Sequence, residues 1–383
     1  MDLDLTEEQA AFRDAVREFV DEVVAPGAAE RDHSGEFPLE VVRRLGELGI
    51  FGVPFAEEDG GLGADLTTLC ACLEELGRVD VSVGITVEAA VGLGANPIAR
   101  FGTPEQKREW LGPMCRGEIL GAFALTEPGG GSDARAIRTR ARLRDGAWRI
   151  DGSKAFITNA GTPLSKVCTA AVRDDEAGGV STILVPLDAE GVRLGPPYRK
   201  VGWHASDTRD LTFEDVRVPE ANLLGERGRG YAQLLEVLDE GRVAIAALST
   251  GLARGCLEES VRYATEREAF GRPIGGFEGL QFKIADMKVK VENARLAYLR
   301  ASWLRDARRP FKTEAAIAKL YASEIAVDCA RDAVQVHGGY GFTEEFAVAR
   351  FYRDAKALEI GEGTSEIQRL LIARSLGLPG TEL

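Results

Sequence analysis

The chain has 383 residues, 45% of them hydrophobic, which is enough for a large core and for more than one domain. A formal net charge of −14 and the lack of a basic patch exclude nucleic acid and anionic membrane surfaces as partners. With three histidines, and six cysteines of which only Cys70 and Cys72 lie close in sequence, neither a zinc site nor a disulfide framework is expected, and a reducing cytoplasm fits. The start, Met1 to Glu8, is acidic and lacks the apolar run of a signal peptide, and no segment reads as a membrane span.

Residues 1–118 read as helical. Thr6 is cap-like and precedes Phe12, Val16, Phe19, Val20 and Val23 at helical spacing. Further helices are expected near 39–48, 66–78, 82–92 and 104–114, with a glycine-rich loop at 52–63. Residues 119–225 change character. Short alternating runs at 120–126, 138–143, 148–150, 167–172, 181–186 and 210–218 are punctuated by turn dipeptides. They predict an antiparallel β domain with a hairpin turn at Arg144-Asp-Gly-Ala-Trp. Residues 226–383 return to helices in longer units. Tyr231, Leu234, Leu235 and Leu238 mark one apolar stripe, and helices over 278–305 and 313–336 are long enough for bundle packing.

The most informative segment is Gly361-Glu-Gly-Thr-Ser-Glu-Ile-Gln-Arg. Glycines on both sides of Glu362 allow a tight bend and close approach of a bulky group. Thr364 and Ser365 can cap the following helix, whose N-terminus favours an anionic or electron-rich ligand. Read alone, Glu362 is a surface residue complementing a helix dipole; read as a poised buried carboxylate, it is a general base. Other segments carry the same two readings. Ala122-Phe-Ala-Leu-Thr-Glu-Pro-Gly-Gly-Gly-Ser-Asp is a strand–loop connection, or a glycine run offering N–H groups to an anion. It has neither Rossmann nor P-loop spacing. Phe156 and Thr158 share one face of a strand, as core residues or as a platform for a flat heterocycle. Arg267 ends a long helix, as a dipole complement or as a phosphate partner. Gly338 and Gly339 follow a helix as its C-cap or as room for a ligand. His337 reads as an interior histidine, and Asp239 and Arg242, one turn apart, pair or face a ligand.

In this order these segments resemble the acyl-CoA dehydrogenase family over essentially the whole chain. Leu125 to Asp133 is similar to the family's first signature, Arg267 to Met287 to its second, and Gly361 to Gln368 to the segment carrying its catalytic glutamate. The resemblance implies a mainly α, α+β fold: a helical domain over 1–118, an antiparallel β domain over 119–225 and a four-helix bundle domain over 226–383. It implies non-covalent FAD, a homotetramer, an acyl-CoA substrate and an electron-transferring flavoprotein as electron acceptor. Glu362 is then the base that abstracts the α-proton, while the β-hydrogen leaves as hydride to the flavin. FAD contacts carry over to Phe123, Leu125, Thr126, Ser132, Phe156, Thr158, Thr364 and Glu366. Arg267, Phe270, Glu278, Gln335, Gly338 and Gly339 are expected on the FAD of a neighbouring subunit. Ser132, Leu238, Asp239, Arg242 and Gly363 are expected to contact the substrate.

Four positions depart from the family pattern. Glu278 stands where glutamine usually contacts FAD, so this contact is lost or rearranged. Gly361 stands where straight-chain enzymes often carry tyrosine; the missing ring opens space and favours a branched or bulky acyl group. Gly241 occupies the helix position from which some members present their base, so Glu362 has no rival. Glu88, near the acyl pocket, is read first as a surface charge and second as a contact to a polar substrate. Alternatives that keep the fold are an acyl carrier protein thioester as substrate, or oxygen-using chemistry of the acyl-CoA oxidase, nitroalkane oxidase or hydroxylase kind. A non-catalytic acyl-CoA-binding subunit is the reading from a different class.

Overall fold

A computed structural model describes residues 3–379. The N-terminal part is a set of helices: α1 (Glu7–Phe19), α2 (Ala28–Ser34), α3 (Leu39–Glu47), α4 (Leu66–Val79), α5 (Val81–Glu88), α6 (Asn96–Phe101), α7 (Pro104–Gln106) and α8 (Gly112–Cys115). Their starts are chemically marked. Thr6 and Gln9 form a reciprocal capping box on α1, and Thr103 with Gln106 forms another on α7. Asp65 caps α4. Asp80 caps α5 through the N–H groups of Ser82 and Val83 and is held by Arg31 at 2.8 Å. The helical stretch Val81–Phe101 is long and apolar enough to cross a membrane, but 89% of its apolar window is buried inside the protein. Its apolarity belongs to the core.

The middle part is a seven-stranded sheet: β1 (Leu120–Ala124), β2 (Arg140–Arg144), β3 (Ala147–Thr158), β4 (Ser165–Asp174), β5 (Gly179–Pro186), β6 (Val192–Leu194) and β7 (Thr208–Pro219). The expected hairpin is present. Arg144 pairs with Ala147 across Asp145 and Gly146, whose φ values of 51° and 72° are those of the two-residue turn that suits strand twist. The sheet is mixed, not antiparallel as the sequence suggested. β4 runs antiparallel to β5, but its other edge takes β1 and then β2, both parallel to it. Side-chain alternation is the same for either direction of pairing, so the sequence pattern could not distinguish them. The expected run at 148–150 is the buried start of the twelve-residue β3, and the short strand β6 was not anticipated.

The C-terminal part contains α9 (Gly230–Glu266), the short hairpin β8 (Glu268–Ala269) and β9 (Arg272–Pro273), α10 (Glu278–Asp306), α11 (Lys312–His337), α12 (Ala347–Leu358) and α13 (Ser365–Ser375). The 37-residue α9 is buried almost continuously from Glu240 to Ala253. Its approach to α4 needs glycine. A Cβ at Gly251 would lie 2.2 Å from the Glu74 carbonyl oxygen, and one at Gly77 would lie 2.3 Å from that of Leu248. The backbones therefore touch, and α4, α9, α10 and α11 share one hydrophobic core with the N-terminal helices. The six cysteines are all buried free thiols.

One polar clamp fastens the glycine-rich loop to the sheet. The fully buried Lys154 donates to Glu127 at 2.8 Å, and Glu127 also accepts from the N–H groups of Arg138 (2.7 Å) and Thr139 (2.9 Å). Replacing Lys154 by methionine leaves that carboxylate buried without its cation. Chemical unfolding of K154M should show a loss of about 3–5 kcal/mol; an unchanged unfolding midpoint would contradict the clamp.

Candidate active site

Glu362 lies in the turn between α12 and α13, with φ at +53°. Gly363 follows at φ +99°, and Thr364 caps α13 by accepting the Ile367 N–H. This reverse bend turns the Glu362 side chain inward. Both of its carboxylate oxygens are shut off from solvent and meet no hydrogen-bond donor among the described residues. The carboxylate rests on the bare Cα of Gly241: a Cβ there would lie 1.9 Å from Glu362 Oε2. Gly241 is thus a requirement of the site and not only the absence of a rival base. Two cations stand nearby. Lys319, on α11, is fully buried and donates to the Gly363 carbonyl at 2.8 Å. Arg242, on α9, ion-pairs with Asp239. Burial pushes the Glu362 carboxyl above the usual carboxylate range, while Lys319 and Arg242 pull it down. Burial also pulls Lys319 down to about 8, opposed by the charge of Glu362.

Glu88 overturns its first reading as a surface charge. It is 1% exposed, and Glu362 is the neighbouring group that acts on it. The signal was present in the sequence. Glu88 is the only charged residue between Val81 and Ala99, so the helix has no polar face to turn toward water. Lys319 was missed because a lone lysine in an alanine-rich helix gives no pattern. Gly361 also reads differently. A Cβ there would come within 3.5 Å of the Trp203 ring, so an indole already borders the space that a tyrosine would fill.

The expected cofactor residues form two groups. Phe123 lies in β1, and Leu125 and Thr126 follow it; Phe156 and Thr158 end β3, joined to Thr126 by the Ala155 N–H at 2.9 Å. Phe156 has φ at +60° and is 63% exposed, stacked on Tyr198 with ring centroids 5.0 Å apart. An aromatic ring held outward on strained backbone is a platform for another flat group. Ser132 is exposed in the adjoining loop, where a Cβ at Gly130 would meet nothing within 4 Å. The second group is at the far ends of α9 and α11. Arg267 lies over Tyr340, Phe270 is 95% exposed, and Gln335, Gly338 and Gly339 are exposed beside them. Glu278 is exposed at the start of α10, where its charge suits the helix dipole. His337 is an interior residue, bonded to the Ala333 carbonyl oxygen and stacked on Tyr263. Of the substrate positions, Asp239, Arg242 and Gly363 converge on Glu362, and Leu238 precedes them on α9. Glu366 is exposed on the first turn of α13. The uncovered aromatic face, the open glycines and the arginine over Tyr340 fit a flat heterocycle carrying a diphosphate.

A buried carboxylate, an outward-facing aromatic ring and a helix–sheet–helix order are the features of a flavin-dependent dehydrogenase of thioesters. The chain belongs to the acyl-CoA dehydrogenase family: that family's N-terminal, middle and C-terminal domain models match residues 6–118, 122–216 and 228–377. It is 46% identical over 378 residues to the probable acyl-CoA dehydrogenase YngJ of Bacillus subtilis, covering 98% of this chain and 100% of that one. Its structure is similar to butyryl-CoA dehydrogenase from Megasphaera elsdenii, with TM-score 0.95, 39% identity and coverage of 99% and 100%. It is also similar to the acyl-CoA dehydrogenase complexed with FAD from Bacillus anthracis, with TM-score 0.93, 33% identity and coverage of 97% and 67%. The protein is therefore an oxidoreductase acting on acyl-CoA, with FAD as its cofactor.

The contact between Gly241 and Glu362 gives a direct test. In G241A the new methyl must displace the carboxylate. Flavin content should be unchanged, and flavin reduction by butyryl-CoA should fall roughly 10²-fold. Undiminished reduction would show that the carboxylate position does not matter.

Proposed function

We propose that this chain oxidises a short-chain acyl-CoA to the trans-2-enoyl-CoA, with Glu362 as the base that takes the α-proton. The observation that carries this reading is the state of the Glu362 carboxylate: shut off from water, with no amide, hydroxyl or cationic donor bonded to it among the described residues, and packed on a glycine. A carboxylate in water is far too weak a base for a Cα–H. Removing its solvent raises its basicity, and thioester binding completes that removal. Among the described residues the Glu362 N–H donates to no backbone carbonyl, and it is left for the thioester oxygen, where negative charge grows as the proton leaves. When bound, FAD supplies the acceptor for the β-hydrogen as hydride.

Within this reading Thr126 and Thr158 hydrogen-bond the flavin edge, and Phe123, Leu125 and Phe156 cover its face. Thr364 and Glu366 contact the same cofactor. Ser132, Leu238, Asp239, Arg242 and Gly363 line the path of the thioester and CoA. Arg267, Phe270, Gln335, Gly338 and Gly339 lie too open in one chain to hold a ligand alone. Their exposure supports a homotetramer in which they complete a neighbour's FAD site. Glu278, exposed and negative, is the weakest member of that set. The units 1–118, 119–225 and 226–383, cytoplasmic residence and an electron-transferring flavoprotein as electron acceptor complete the reading. A short acyl group is favoured by the likeness to butyryl-CoA dehydrogenase and by Trp203, which borders the space beside Gly361.

Glu362→Gln tests the assignment. The variant should retain FAD and bind butyryl-CoA, while anaerobic bleaching of the flavin falls by roughly 10²–10⁴-fold. Bleaching at the wild-type rate would remove Glu362 from the chemistry.

A further inference from the structure

Glu88 and Glu362 present an arrangement that proton abstraction by a single base does not require. Both carboxyls are shut off from water, and among the described residues neither meets a donor from any third group. Each acts on the other as a neighbour, and α5, which carries Glu88, packs on α9, whose Gly241 seats Glu362. As two carboxylates they would be paired acceptors with nothing to exchange, at like charge and low dielectric. With one proton between them they form an O–H···O⁻ bond, the stronger, charge-assisted kind. Small residues seat both groups. A Cβ at Gly92 would lie 2.7 Å from Glu88 Oε1, and one at Gly241 would lie 1.9 Å from Glu362 Oε2.

The surrounding charges decide which oxygen keeps the proton. From α9, Arg242 acts on Glu362 and is itself paired with Asp239. From α11, Lys319 acts on Glu362. From α12, Asp354 and Arg350 act near Asp80, at the opposite end of α5. The acidic groups of α4, Glu74 and Glu75, are taken up by Arg295 and Arg254. Among the described residues no cation acts on Glu88, and burial followed by the Glu362 charge pushes its carboxyl well above the usual range. These surroundings favour the proton on Glu88 and the charge on Glu362.

We propose that Glu88 is a positioning residue for proton abstraction: it keeps a proton and donates it in a hydrogen bond to Glu362, so that the base works as one half of a singly protonated carboxyl pair. The proposal rests on Glu362 being the base. The donated hydrogen bond fixes the orientation of a carboxylate that has no other partner. It also lets Glu362 stay ionised although buried. When the Cα–H bond breaks, its proton forms a new O–H on Glu362, and the pair then carries two protons until one is released after turnover.

Three measurements test this. The first uses oxidised FAD-loaded protein at neutral pH without substrate, so it is independent of the chemistry assigned to Glu362. The infrared difference spectrum, wild type minus Glu88→Gln, should show the carbonyl stretch of a protonated carboxyl, shifted in D2O. Asp354, which burial raises to about 7, is common to both proteins and cancels. Absence of the band overturns the proposal. The second is linkage. A carboxyl raised above its ordinary 4.5 binds its proton more tightly in the folded chain, so its contribution to stability falls as pH rises above that value. Tm of Glu88→Gln minus Tm of wild type should widen with pH, and a constant difference counts against a protonated Glu88. The third is the pH profile of flavin reduction by butyryl-CoA. Glu88→Ala has no donor, so its acid limb should move up by about one pH unit, a ~10-fold loss below the limb with the plateau kept. Glu88→Gln, whose amide still donates, should keep the wild-type acid limb. If both variants retain FAD and lose rate uniformly at every pH, or if Glu88→Ala overlays wild type, Glu88 has no role beyond packing.

Discussion

A carboxylate with no cation bonded to it, held where water does not reach, is the constraint around which this chain is arranged. Burying such a charge costs several kcal/mol unless something nearby offsets it. The offset is distributed. Arg242 comes from α9, Lys319 from α11, and the Glu88 carboxyl from α5, while the bend at Glu362 and Gly363 delivers the group itself. Each contribution comes from a different element, so the site exists only when α5, α9 and α11 are docked. Lys319 shows the coupling most plainly. Its ammonium spends a hydrogen bond on the Gly363 carbonyl, fixing the bend, and its charge steadies the carboxylate one residue earlier.

The rest of the packing serves that docking. The glycines of α4 and α9 bring two backbones into contact, so α9 cannot slide without unpacking the N-terminal helices. The π-turn after α5 lies against β1, where a Cβ at Gly94 would be 2.6 Å from the Gly121 carbonyl oxygen. Asn159 at the end of β3 donates to the Thr86 carbonyl of α5 at 3.0 Å. Sheet and helices are thereby locked together beside Glu88. The outward aromatic ring of Phe156 and the buried carboxylate of Glu362 are held by one rigid frame, as the proposed removal of a proton and a hydride from adjacent carbons demands.

Much of this was legible in the sequence, for identifiable reasons. Helices announced themselves through period and caps, and Thr6 and Thr364 cap as their neighbours imply. The Asp145–Gly146 turn was readable because only a few residues accept two successive positive φ values. The direction of strand pairing was not readable, since β1 and β2 alternate identically whether parallel or antiparallel to β4. At the site, the bend at Glu362 was legible from its flanking glycines, although read alone the segment gave a surface carboxylate, and the pairing of Asp239 with Arg242 was legible from their spacing. Glu88 was misjudged because residue type outweighed context: glutamate is usually exposed, but this one sits in an apolar helix with no wet face. The ring beside Gly361 was out of reach for another reason. Trp203 lies 158 positions earlier in the chain, and only the fold brings its ring to that space.

The central claim is that the carboxylate of Glu362 removes a proton from the carbon next to the thioester. Deuterium uptake reports that step without relying on the flavin colour. FAD-loaded wild type and Glu362→Gln would each be incubated anaerobically in D2O with butyryl-CoA, and the recovered thioester analysed by mass spectrometry and NMR. The account predicts deuterium at Cα with wild type and almost none with Glu362→Gln. Equal incorporation by the two proteins would contradict it.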